Sequence, residues 1–171
     1  MNKGFEILLA YLIPLAERGL SVSAFIFPLL EVISYFGHKV FLSPENDALR
    51  FFYLNHLTKI TSFYTENNLL IFIFMIWVFI VCSKGSLPLT RFLRFNVIQA
   101  ILLNIICSCS GVIFTFCPIV LRESMVGIVF ANFFFLGIVL LIAYSSLLII
   151  YGRFPVIPIL SEAARLQVQQ G

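Results

Sequence analysis

The chain has 171 residues, of which 61% are hydrophobic and 11% charged, and its net charge is +3. An ordinary soluble domain carries about 25% charged residues, and disordered chains are poor in aromatic residues, whereas this chain contains 20 Phe. The basic residues are scattered along the chain, which excludes the clustered basic face that nucleic acid requires. The composition predicts an all-α integral membrane protein in which residues 1–171 form a single membrane domain.

The N-terminal part contains two adjoining apolar stretches. The first membrane span is predicted over 5–20 and extends irregularly to 36, because Pro28 and Glu31 interrupt the second stretch. Two interpretations of 22–36 stay open here: it crosses the membrane, or it lies at the membrane surface. Glu17, Arg18 and Glu31 are the only charges in this apolar block, and a proton relay through it would need an acid or a histidine on another span.

Residues 38–61 form the longest polar segment. The apolar residues in its second half are spaced as in an amphipathic helix, so the segment is predicted to be interfacial. An ordinary folded loop is the alternative interpretation.

Three further spans are predicted over 62–83, 95–117 and 127–151, and a polar tail follows over 152–171. Four spans place both termini on the same side of the membrane. Six basic residues collect on that side against four on the other, and the six are Lys3, Lys84, Arg91, Arg94, Arg153 and Arg165. The positive-inside rule therefore predicts that both termini face the cytoplasm or the plastid stroma.

The third predicted span carries a stripe of polar residues. Asn96 and Gln99 fall on one face of the helix, and Asn104 lies at the edge of that face. Such side chains either bond to neighbouring helices or line a polar path through the membrane, and the sequence leaves both roles open.

Other candidate contacts lie at the ends of the spans. Lys84, Arg91 and Arg94 are predicted to set the topology or to bind anionic lipids or an acidic partner. In the tail, Ser161 is predicted to cap a short helix, and Ser161 and Glu162 are candidate contacts to partner proteins.

No motif for catalysis is recognised in the sequence, so the chain is predicted not to be an enzyme and to have no catalytic residues. The four cysteines lack the spacing of a metal site and are predicted to be small buried apolar residues. No cofactor is expected.

Residues 94–105, which read RFNVIQAILLNI, resemble the signature of the Tic-twenty family. That family is the twenty-kilodalton subunit of the translocon at the inner envelope of chloroplasts. Residues 9–15 (LAYLIPL) resemble its first span, and residues 155–164 (PVIPILSEAA) resemble its tail. The chain departs from the family pattern at Asn104, where the family has Asp, and at Ile98, where it has Met.

The resemblance implies a four-span subunit of the plastid inner envelope, with its termini towards the stroma, or of a cyanobacterial membrane. Its implied partners are other translocon subunits, translocating preproteins and membrane lipids. The implied function is to form or line part of the protein-conducting path. The alternatives are a small-solute or ion channel or carrier, and a non-conducting scaffold or assembly subunit.

Overall fold

The structure is a computed structural model that describes residues 3–41, 47–85 and 89–169, and all the regular elements in these ranges are helical. The N-terminal helices are α1 (Lys3–Ala24), α2 (Ile26–Val32) and α3 (His38–Phe41), with a π-helical turn at Ile33–Gly37. The middle helices are α4 (Asp47–Phe52), α5 (Thr58–Glu66) and α6 (Asn68–Lys84), with a second π-helical turn at Tyr53–Leu57. The remaining helices are α7 (Arg91–Phe116), α8 (Ile119–Arg122), α9 (Met125–Ile150) and α10 (Leu160–Gln169).

Three helical segments among the described residues are long and apolar enough to cross a membrane: Leu12–Gly37, Arg91–Phe116 and Met125–Ile150. Each has 26 residues, or about 39 Å of helix, against about 30 Å of hydrocarbon. A bent pair, Asp47–Glu66 with Asn68–Lys84, makes a fourth crossing if its two arms count as one span. The all-α prediction is confirmed, and the number of crossings is three or four.

The sequence predicted one continuous helix over 62–83, whereas the structure has two helices that meet at an angle of 74°. The break falls at Asn67, whose side-chain amide donates to the Phe63 carbonyl at 2.9 Å. Asn favours such local side-chain bonds over continued helix. The part of the predicted interfacial segment at 42–46 lies outside the described residues.

The N-terminal segment is also broken, at Phe25, between α1 and α2. Pro28 lies three residues further on and has no N–H to donate to the preceding turn. The Phe25 N–H donates instead to the Val22 carbonyl at 3.0 Å. The expected irregular extension to 36 thus becomes a second short helix followed by a π-helical turn.

Helix α7 is the centre of the bundle, because α1, α2, α6 and α10 all pack against it. Half of its apolar window is buried, against 22% for α9. The Phe36 ring joins the N-terminal segment to both of these helices, with centroid distances of 5.3 Å to Phe114 and 4.9 Å to Phe134. Gly111 allows the N-terminal segment to approach closely, since a Cβ there would lie 2.3 Å from Tyr35 Cγ.

Two arginines show which helix ends lie together. The Arg94 guanidinium donates to the Cys82 carbonyl at 2.6 Å and to the Ser83 carbonyl at 3.0 Å, at the end of α6. Arg18 donates to the Ile150 carbonyl at 3.1 Å, at the end of α9. The Phe154 ring, just after α9, contacts Phe92 at the start of α7, with centroids 5.2 Å apart. We call this end of the bundle, where α7 begins and α6 and α9 finish, the basic end.

Candidate functional site: a buried polar row on helix α7

The polar residues predicted from the sequence form a row along the buried face of α7. Asn96 and Gln99 are fully buried, and Asn104 is 6% exposed. Ser108 is half-buried and continues the row one turn further. From Asn96 to Ser108 the row covers about 18 Å of helix, which is more than half the thickness of a hydrocarbon core.

Several atoms of this row have no hydrogen-bond partner among the described residues. They are both side-chain amide atoms of Asn96, Oε1 of Gln99 and Oδ1 of Asn104, and the buried Ser21 hydroxyl on α1 has none either. A buried polar atom without a partner costs about 1–3 kcal/mol, and such atoms are rare in native proteins. Helix packing through polar bonds therefore does not explain the whole row.

The row is fixed to the C-terminal tail at Gln99. Its side-chain N–H donates to the Ser161 hydroxyl at 2.9 Å. The same hydroxyl accepts the Ile157 N–H at 2.6 Å and donates to the Pro155 carbonyl at 3.3 Å. Ser161, a predicted partner contact, is thus buried and bonded within the chain, whereas Glu162 is exposed.

At the other end of the row lies a buried acid, Glu31, which is 1% exposed. Tyr64 of α5 donates its hydroxyl to Oε2 of Glu31 at 2.5 Å, and Ser108 donates its hydroxyl to Oε1. Asn104 interacts with the same Tyr64 hydroxyl. Ser108 lies within about 7 Å of the midpoint of α7, so the carboxyl group is deep in the bundle.

Sequence reasoning missed this cluster. It marked Glu31 as a charge in an apolar stretch and looked for an acid or a histidine as its partner. The structure supplies two hydroxyl groups instead, from residues 33 and 77 positions away in the chain. An acid inside an apolar span was the signal that could have found the site, because such residues are costly and therefore tend to be functional.

A cavity of about 460 Å³ lies between α6 and α7 beside the row. Its walls are apolar apart from Asn104, Ser108 and Cys109. Asn104 and Ser108 of the row thus border an open apolar space at the depth of the hydrocarbon core.

The three predicted basic contacts have different surroundings. Arg94 is half-buried and bonds to the end of α6, while Lys84 and Arg91 are exposed at the basic end. Arg94 therefore acts within the chain, and Lys84 and Arg91 are accessible to lipids or partners.

In the ranges that the structure describes, no group of three or more His, Cys, Asp or Glu side chains could hold a metal ion. The four cysteines are free thiols, and Cys82 and Cys107 are buried as the sequence predicted. Cys109 differs from that prediction because it is exposed, and Cys117 is half-buried.

Comparisons with known proteins match nearly the whole chain. The family model described as "Chloroplast import apparatus Tic20-like" matches residues 8–164. The "Tic20 family protein Ycf60" of Gracilaria tenuistipitata var. liui is 31% identical over 157 residues, which are 91% of this chain and 77% of the relative. The protein of the same name from Porphyra purpurea is 31% identical over 156 residues, or 90% of this chain and 76% of the relative.

A cyanobacterial relative is also similar. The "Tic20 family protein" of Synechocystis is 29% identical over 154 residues, which are 90% of this chain and 93% of the relative. Together with the apolar helices, these similarities indicate a membrane of plastid or cyanobacterial type.

Proposed function

We propose a role in protein import from one premise: the chain belongs to the Tic20-like family of the chloroplast import apparatus. In this proposal the chain is a subunit of the preprotein translocon of the plastid inner envelope, or of the corresponding cyanobacterial membrane. Its partners are other translocon subunits, translocating preproteins and the surrounding lipids.

The proposed topology has four crossings, with both termini on the stromal or cytoplasmic side. Its support is the charge at the basic end. Lys84, Arg91, Arg94 and Arg153 lie on or beside the ends of α6, α7 and α9, and Arg165 lies on α10. Basic residues near span ends favour the side from which a membrane protein is inserted.

The observation that carries the proposed path is the set of unpartnered amide atoms on α7. A preprotein crossing a membrane as an extended segment exposes backbone N–H and C=O groups, each of which must be satisfied away from water. The Asn96 amide offers one donor group and one acceptor without breaking an existing side-chain bond. We infer that the row lines part of the path and that its free polar atoms serve a passing backbone.

A chain of this size cannot enclose a wide path by itself. The cavity beside the row measures about 460 Å³, and among the described residues its walls come from α6 and α7 alone. The remaining wall must come from another subunit or from a second copy of the chain. The proposal therefore assigns this protein one side of the path.

The test is an Asn96→Leu variant placed in the native membrane. Import of a labelled preprotein is measured together with the integrity of the complex on a native gel. Asn132→Leu is the matched control, because Asn132 lies exposed on α9, away from the row. Reduced import with an intact complex supports the lining role. Loss of the complex favours the scaffold alternative, and normal import contradicts any role of Asn96 in the path.

The second candidate function is a small-solute or ion carrier, and the buried Glu31 is the observation that favours it. Membrane carriers place acids at mid-membrane, where an ionisable group binds or relays what is carried. The Glu31 cluster has one carboxyl group and two hydroxyl partners. Flux through liposomes that contain the purified chain, abolished by Glu31→Gln and unaffected by Asn96→Leu, would support the carrier over the import path.

A further inference from the structure

A second cavity, of about 360 Å³, lies at the basic end, away from the polar row and from Glu31. It is formed where the tail helix α10 packs against the first turns of α7. Its lining residues are Arg91, Phe95, Phe154, Arg165, Val168 and Gln169. The cavity thus combines two guanidinium groups with an aromatic and aliphatic wall.

The two arginines differ from the others that bond at this end. Arg18 and Arg94 donate to carbonyl groups at helix ends, whereas Arg91 and Arg165 have no hydrogen bond or ion pair among the described residues. Glu162 lies one helical turn before Arg165 and is exposed, but no ion pair joins them. Two cations from distant parts of the chain therefore line one cavity, and among the described residues neither has an anionic partner.

The depth of the cavity indicates what kind of anion it receives. Arg91 is the first residue of a helix long enough to cross the bilayer, so the cavity lies where hydrocarbon gives way to lipid headgroups. Guanidinium groups bind phosphate oxygens through paired N–H donors. The rings of Phe95 and Phe154, with centroids 5.3 Å apart, form an apolar wall that suits the upper part of an acyl chain.

We propose that this cavity is a binding site for the headgroup of an anionic membrane lipid, held by Arg91 and Arg165 against Phe95 and Phe154. The lipid would connect the tail helix to the start of α7. This site is independent of the import role, since it requires only that the chain lies in a membrane with its basic end at one surface.

The test uses the full chain, purified in mild detergent and mixed with phosphatidylglycerol or phosphatidylcholine, with retained lipid counted by native mass spectrometry. Each basic residue contributes to the attraction for anionic lipid. Arg91→Gln and Arg165→Gln should therefore each weaken phosphatidylglycerol binding about fivefold, and the double variant should weaken it about thirtyfold. The control is Arg153→Gln, because Arg153 is exposed at the same end but does not line the cavity. Phosphatidylcholine should be retained less than phosphatidylglycerol by the unchanged chain and equally by all variants.

Three results would overturn the proposal. Equal weakening by Arg153→Gln would mean diffuse attraction to the whole basic end. Equal retention of phosphatidylcholine would mean that the apolar wall alone binds lipid. If inorganic phosphate displaces bound phosphatidylglycerol as strongly as added phosphatidylglycerol does, the cavity is a site for a free anion. If the double variant does not fold, photo-reactive phosphatidylglycerol on the unchanged chain tests the same point, and it should label peptides that contain 91–95 or 165–169 and no others at this end.

Discussion

Asn96 lies fully buried on α7, and neither atom of its side-chain amide has a hydrogen-bond partner among the described residues. A residue kept in this state lowers the stability of the fold. In a protein that opens for a passing chain, the same free donors and acceptor are what the passing chain requires. Asn96 therefore lowers the stability of the fold but supplies the polar groups that the proposed function requires.

We predict that Asn96→Leu raises the free energy of unfolding by about 1–3 kcal/mol, because it removes two unsatisfied polar groups and keeps the branched shape of the side chain. Thermal unfolding in detergent measures this. Asn132→Leu, at an exposed position, should change the stability by less than about 0.5 kcal/mol. A fall in stability for Asn96→Leu would contradict the absence of polar partners around this amide.

A second prediction concerns the bond between Tyr64 and Glu31. Tyr64→Phe should lower the free energy of unfolding by about 1–3 kcal/mol, because it leaves a buried carboxyl oxygen without its donor. Glu31→Gln and Tyr64→Phe should be non-additive, with a coupling energy of about 1 kcal/mol in a double-mutant cycle. Tyr144→Phe is the matched control, since Tyr144 is exposed on α9. Additive effects would show that the two side chains do not stabilise each other.

At this scale the sequence pointed to Asn96, Gln99 and Asn104 of the row, but not to Ser108 or to the surroundings of these residues. Helical periodicity is a local property, so it was enough to place Asn96 and Gln99 on one face. The pairing of Glu31 with Tyr64 depends on how α5 folds back across the bundle, which no local pattern records. The family pattern has an acid at position 104, and here Glu31 brings a carboxyl group to the neighbourhood of Asn104 from another helix.

Among the helices, α6 shows which boundaries a sequence specifies well. Its end agrees with the predicted limit at 83, because Gly85 adopts a left-handed conformation with φ of 62° and terminates the helix. Its beginning does not agree, because the break at Asn67 lies inside a continuous helical pattern. A glycine stop is a local signal, whereas a bend of 74° also depends on how the two arms pack.

Arg94 connects α6 to α7, and we predict that it stabilises the end of α6. Arg94→Gln should lower the free energy of unfolding by about 1.5–3 kcal/mol, since it removes two charge-assisted bonds to the Cys82 and Ser83 carbonyls. Hydrogen exchange in the last turn of α6 should become faster. Arg94→Lys should recover part of the loss, because it keeps the charge but not the paired donors.

The matched control for this variant is Arg153→Gln, which removes an exposed arginine from the same end of the bundle. It should leave hydrogen exchange in α6 unchanged. Equal hydrogen exchange in the Arg94→Gln variant and the unchanged chain would show that Arg94 does not stabilise the end of α6. Its role would then be to set the topology.

At the scale of the whole molecule, the long apolar helices alternate in direction. Arg94 brings the end of α6 to the start of α7, and the contact of Phe154 with Phe92 brings the end of α9 there, so α6 and α9 run opposite to α7. Sequence reasoning reached the same alternation by counting spans. It could not decide how the segment at 47–66 lies, because amphipathic residues suit a membrane surface and a bundle flank equally.

Labelling of introduced cysteines tests how the segment at 47–66 lies. In native-membrane vesicles of known orientation, single-cysteine variants are labelled with a membrane-impermeant thiol reagent, after all four native cysteines are replaced by serine. With four crossings, Lys59→Cys should be labelled from the same side as Val120→Cys in α8, and Lys84→Cys from the opposite side together with Arg153→Cys. All four positions are exposed in the structure, so a failure to label reflects the membrane and not burial in the protein. Labelling of Lys59→Cys from the side of Lys84→Cys would mean that the arm before Asn67 does not belong to a crossing, and that the chain spans the bilayer differently from its proposed topology.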